Sequence, residues 1–246
     1  MRQEFKNVIC IIQYSINKAQ FEMLTRCVQS FKKNEPVAQI FVINNSSPYS
    51  GKLDDPEVIT LDAPNRRELG AIAFAYENIK AEKYLFVHDG TESAKSLPIW
   101  EKEFVSLWSF PPQYMIHPPI FLNFLGMTIK KNFAPDVAGA LSQLWVQANQ
   151  KGVHGCFGLM FLSSRQVLEK LDAIGLFKCA DDIKCRNDAC GTERLIALVL
   201  YYLGYPILGN TLQGNIVDYP RAFDTPLSPK ARNINEYHIR KFWSGR

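Results

Sequence analysis

The chain has 246 residues, of which 47% are hydrophobic and 21% charged, with a formal net charge of +4. That is ordinary for a soluble globular protein, and the length lets it bury a large core without staples. The basic residues are scattered apart from short pairs such as Lys32–Lys33, Arg66–Arg67 and Lys130–Lys131. This argues against a nucleic-acid binder, which concentrates them on one face or tail.

The first apolar run, Val8–Ile12, ends at Gln13. It is too short for a signal-peptide core, and no stretch is long enough to span a membrane. The expectation is a cytoplasmic protein, with any membrane contact peripheral. The six cysteines form no C-x-x-C pair. The spacing of Cys179, Cys185 and Cys190 matches no common zinc pattern, so reduced thiols are expected.

Val8–Ile12 reads as a buried strand. Lys18–Lys33 follows with Phe21, Leu24, Cys27, Val28 and Phe31 at helical spacing, and Pro36 prevents continuation. Gln39–Ile43 is a second buried strand, closed by the turn cluster Asn44-Asn45-Ser46-Ser47-Pro48. Val58–Leu61 is a third. Asn65 is placed to cap a helix over Arg67–Lys80. Tyr84–Val87 is a fourth strand and runs into His88-Asp89-Gly90.

From Pro98 to Lys151 the pattern is weaker. Pro111-Pro112 and Pro118-Pro119 bracket Gln113–His117, which reads as loop or edge strand with His117 structural. Ser142–Gln150 reads as a short helix. His154–Leu162 looks like a glycine-marked strand, and Ser163/Ser164 cap a helix over Arg165–Leu171 that Gly175 closes. Glu193–Leu203 is an apolar helix ended by Gly204. From Asp218 onward the chain is polar and proline-rich, a loop expected to lie over the cleft.

Strands alternating with helices predict an α/β fold with a mixed, mainly parallel central sheet, whose ligands bind beyond the carboxyl ends of the strands. The polar clusters Gln13–Asn17, Asn44–Ser47 and His88–Glu92 all fall there.

Six segments, in order, resemble the GT-A glycosyltransferases, specifically the inverting family-2-like group. Val8–Ile12 with Lys18–Phe31 looks like the first strand and helix of that Rossmann-like fold. Phe41-Val-Ile-Asn-Asn-Ser-Ser47 looks like the second strand with its D-x-S turn, Asn44 standing where the family's nucleoside-contacting Asp does. Asn65-Arg66 followed by Gly70, Ala75 and Asn78 resembles the family's N-x-G…A-x-N element, which also touches the nucleotide. Tyr84–Gly90 falls where the family carries D-x-D, here with a single Asp89 between His88 and Gly90. Gly191-Thr-Glu-Arg194 resembles the E-D segment, and Glu193 lies eleven residues before Gly204-Tyr205. Tyr237-His-Ile-Arg-Lys-Phe-Trp243 resembles a tail seen in some bacterial and viral members, which closes over the donor.

The resemblance implies one GT-A-like domain over 1–246: a nucleotide-binding half (1–97), an acceptor and catalytic half (98–217) and a C-terminal lid (218–246). It implies a UDP- or GDP-sugar donor and a glycan, lipid or protein acceptor. Glu193 is the candidate base that takes the acceptor hydroxyl's proton, with Asp188 in reserve. Donor contacts fall to Gln13, Asn44, Asn65, Arg66, His88, Asp89, Arg240, Lys241 and Trp243. His154 and Gly155 lie by the acceptor and transferred sugar. Mn²⁺ or Mg²⁺ would bridge the diphosphate through Asp89, with Glu92 a possible helper and His238 arriving from the tail.

Three other readings are weighed against it. A nucleotidyltransferase needs a glycine-rich basic loop after the first strand, where this chain has Gln13-Tyr-Ser-Ile-Asn17. A non-catalytic sugar or nucleotide binder on the same fold fits the missing D-x-D carboxylate. A dinucleotide-dependent oxidoreductase lacks its G-x-G-x-x-G after a strand.

Overall fold

The computed structural model describes residues 4–49, 51–64, 66–116, 121–216 and 237–242. In the first half the elements are β1 (Glu4–Gln13), α1 (Lys18–Asn34), β2 (Gln39–Asn44), β3 (Ile59–Asp62), α2 (Arg67–Asn78), β4 (Lys80–His88) and β5 (Thr91–Ser93). The second half adds β6 (Phe104–Ser106), β7 (Ser109–Phe110), α3 (Leu122–Asn132), α4 (Pro135–Val146), β8 (Gly155–Cys156), β9 (Phe161–Ser164), α5 (Arg165–Ala173) and α6 (Arg186–Tyr202), then β10 (Ile239–Lys241).

Six strands form one sheet in the order β3-β2-β1-β4-β9-β6. β1 pairs in parallel with β2 and β4, and β2 with β3. β9 is antiparallel to both β4 and β6. The expected α/β fold with a mixed, mainly parallel, Rossmann-like sheet is therefore present. β9 and β6 come from the second half of the chain, so both halves build the same sheet.

Val8, Ile9, Cys10 and Ile11 are fully buried because β1 is central and covered on both faces. Each such aliphatic side chain contributes about 1.5–3 kcal/mol. α1 starts at Asn17, whose side chain accepts from the Gln20 N–H at 3.0 Å, and buries Leu24, Cys27, Val28 and Phe31. Ser164 caps α5 by accepting from the Val167 N–H, and Gly175 leaves that region at φ 100°.

Three expectations are corrected. α4 begins at Pro135, well before Ser142, with proline at the first helical position where its missing N–H costs nothing. α3 lies where the sequence pattern is weak. His154–Leu162 is not one strand: it breaks at Phe157–Leu159, where Gly158 takes φ 64° and Leu159 φ 51°. α6 begins at Arg186, so Glu193 lies about two turns into a helix, too far in for the macrodipole to explain it. No disulfide joins the six cysteines.

Candidate active site at the strand switch point

The strand order runs one way from β1 to β2 and β3, and the other way from β1 to β4. Ligands of open α/β sheets bind where that order reverses, outside the carboxyl ends. Here the ends of β1 and β4 are stitched together. Asp89, 2% exposed, accepts from the Tyr14 N–H through Oδ2 at 3.0 Å, and its own N–H donates to the Ile12 carbonyl at 3.1 Å. A cleft of about 440 Å³ opens over this junction, walled by residues as distant in sequence as Tyr14, Asp89, Glu193 and Lys241.

Glu193 reaches the cleft from α6. Its Oε1 accepts from the Gly158 N–H at 2.9 Å, a donor exposed by the break in the expected strand. Burial pushes the carboxyl up to about 7, against the pull of the Arg194 guanidinium, the Gly158 N–H and Lys241. A carboxyl at that value exchanges protons near neutral pH, as a general base must. Behind it Arg194 is held between two aromatic faces, 5.0 Å from the Phe110 ring and 4.1 Å from Phe121, and donates to the Cys190 carbonyl at 2.8 Å. Burial also holds the Cys190 thiol protonated, up to about 11, so it is no nucleophile at neutral pH.

Asp188, the reserve base, is committed elsewhere. Its Oδ2 accepts from the Lys184 and Cys185 N–H groups at 2.8 and 3.0 Å and closes a capping box at the start of α6. Asp188→Ala is expected to cost about 1 kcal/mol, roughly 2–4 °C in melting temperature, and to leave any turnover unchanged. A loss of turnover larger than the loss of folded protein would restore Asp188 as the base.

Of the residues expected at the nucleotide, two are turned elsewhere and the next residue along lines the cleft in each case. Asn44 is occupied, its Nδ2 donating to Asp62 Oδ1 at 2.7 Å and its Oδ1 accepting from the Ser47 N–H at 3.0 Å. Its neighbour Asn45 lines the cleft instead, 4% exposed, with Oδ1 buried and unpartnered. Arg66 points to Asp181 at 3.2 Å, and Arg67 lines the cleft. Gln13 turns to Ser15 Oγ at 3.3 Å. Asn65 and Trp243 lie outside the described residues, as do 218–236 of the expected lid and His117.

Ser46, Arg67 and Leu159 are the described non-glycine residues with positive φ, at 57°, 56° and 51°. Arg67 and Leu159 line the cleft, and Ser46 follows Asn45. Left-handed backbone costs such residues about 1–3 kcal/mol each and gathers at functional sites.

The tail reaches the site as a strand. β10 pairs antiparallel with β5, and the Phe242 N–H donates to the Gly90 carbonyl at 2.7 Å. Lys241, 9% exposed, lines the cleft with its Nζ 3.4 Å from His88 Nδ1 and 5.7 Å from the Phe157 ring centre. Its strand neighbour Arg240 alternates to the other face and pairs in register with Glu92.

The other expected contacts do not converge here. His238 sits against the Ser96 carbonyl at 2.9 Å, and Glu92 pairs with Arg26 at 3.3 Å. Gly155 is buried under Phe110, and the His154 imidazole is held neutral by burial, with Nδ1 unpartnered; neither lines the cleft. A divalent cation takes about six hard oxygen ligands. The set implied for one, Asp89 with His238 and Glu92, is dispersed. Among the described residues no group of three or more His, Cys, Asp or Glu is arranged to hold a metal ion.

No helix among the described residues is long and apolar enough to cross a membrane. No protein-family model matches the chain, and no curated protein matches it.

Proposed function

We propose that this cleft binds a nucleoside-diphosphate sugar and transfers the sugar to an acceptor hydroxyl with inversion, as a GT-A glycosyltransferase does. The observation that carries the reading is the position of Glu193. A carboxyl with a proton affinity near neutrality faces, across one cleft, the buried amide of Asn45 and the ammonium of Lys241.

Each group has a part in the chemistry. Asn45 offers an amide to a base edge or ribose. Lys241 and Arg67 supply positive charge to a diphosphate, which carries more negative charge as it leaves. Glu193, ionised, accepts the proton of the acceptor hydroxyl. The hydroxyl oxygen bonds to the anomeric carbon as the bond from that carbon to the phosphate oxygen breaks, and the nucleoside diphosphate leaves with the electron pair. The acceptor is a glycan, lipid or protein hydroxyl.

The test is a thermal-shift panel of UDP-, GDP-, CMP- and dTDP-sugars. At a hundredfold excess over Kd, a bound ligand adds about 2.7 kcal/mol of stability. For a chain of this size that is roughly 5–10 °C. One nucleotide is expected to give such a shift, and its sugar ester to be hydrolysed slowly without acceptor. Binding with no hydrolysis and no transfer would favour the non-catalytic binder. No shift with any of the four would overturn the reading.

A further inference from the structure

We propose that this site binds its diphosphate without a divalent cation, with Lys241 of the tail strand taking the metal's place; the inference rests on the nucleotide-sugar reading above. Two independent features lead there.

The first is steric. Gly90 occupies the position of the second carboxylate in a D-x-D pair, and a Cβ on Gly90 would stand 2.8 Å from the Phe242 carbonyl oxygen. Side-chain carbons do not approach backbone that closely. With the tail paired to the turn through the Phe242 N–H and Gly90 carbonyl, residue 90 has no room for a carboxylate. The strand that excludes the second metal ligand is the strand that carries Lys241 into the cleft.

The second is electrostatic. The one carboxylate of this turn, Asp89 at the middle position between His88 and Gly90, is 2% exposed and already accepts the Tyr14 N–H. The Lys241 ammonium lies on the same cleft, next to His88, and its field is felt at Glu193. Arg67 and Arg186 also line the cleft, beside the Glu68 carboxylate. A metal at the Asp89 turn would have to enter beside that fixed cation, whereas a diphosphate is drawn to it. Lysine meets phosphate as a compact point charge, which suits this role.

The experiment is calorimetric titration of UDP and GDP into the full chain, in EDTA and in Mn²⁺, for the wild type, Lys241→Met and Lys241→Arg. The wild type is expected to bind one nucleotide with Kd values within about threefold in the two buffers. Lys241→Met is expected to weaken binding at least tenfold, about 1.4 kcal/mol. Lys241→Arg, which keeps the charge, is expected to stay within about threefold. Should Lys241→Met fail to fold, the two wild-type titrations decide alone.

Affinity lost in EDTA and restored by Mn²⁺ would overturn the proposal while leaving the nucleotide-binding reading intact. Lys241→Met binding as tightly as the wild type would also overturn it. Binding of neither nucleotide in either buffer would remove the nucleotide reading and this inference together.

Discussion

Glu193→Gln is expected to lower sugar transfer or donor hydrolysis by about 10²- to 10⁴-fold and, at pH 8, to raise the melting temperature. Glutamine keeps the acceptor for the Gly158 N–H and cannot take a proton. The carboxyl has an ordinary value of 4.5 and is raised to about 7 in the fold. The folded protein therefore binds this proton more tightly than the unfolded chain. Stability falls as pH rises between those values, and the full penalty is present above about 7. It amounts to at most about 3 kcal/mol, since Glu193 faces the cleft. The gain from Glu193→Gln should thus be several degrees at pH 8 and near zero at pH 4. Wild-type turnover should rise with pH through about 7 as the base ionises, and the residual turnover of the variant should lack that step. Unchanged turnover, or equal stabilisation at both pH values, would remove Glu193 from the role of base. A site residue that weakens the fold to perform chemistry is an expected trade.

Gly155→Ala is expected to destabilise the protein by about 3 kcal/mol, the upper end for overpacking, and to abolish activity. A Cβ at Gly155 would lie 1.9 Å from Phe110 Cζ. The ring has little freedom to retreat, because Phe110 is buried and Arg194 lies over its face at 5.0 Å. Moving that ring disturbs Arg194 and, through it, the turn of α6 that presents Glu193. Urea unfolding with wild-type and variant chains measures the cost. A change below about 0.5 kcal/mol would show that the Phe110–Arg194–Phe121 stack is not what positions α6. Gly155, expected beside the acceptor, is in this structure a packing position.

Local signals were legible where the chain chooses between few alternatives. Ser164 announced its helix because a short oxygen-bearing side chain satisfies an otherwise orphaned N–H, and Gly175 marked the left-handed exit. Apolar runs marked β1, β2 and β4 because central strands are buried on both faces. Periodicity failed at α6 for a physical reason. Arg186, Ala189 and Cys190 line the cleft, so the first two turns carry no continuous apolar stripe.

The alternating apolar and helical segments by themselves determined an α/β sheet with polar strand ends, and Glu193 entered as a candidate base only through the resemblance to the glycosyltransferase E-D segment. Only the tertiary structure decided which member of each adjacent pair faces the cleft. Asn44 pairs in register with Asp62, and its amide is held there, which leaves Asn45 to the cleft. Arg66 is drawn to Asp181, which leaves Arg67. The antiparallel pairing of β10 with β5 turns Lys241 inward and Arg240 away. One residue along a strand reverses the direction of a side chain. The register that fixes it comes from partners far away in sequence, so a pattern of residue types locates a strand end without saying which of its side chains meets the ligand.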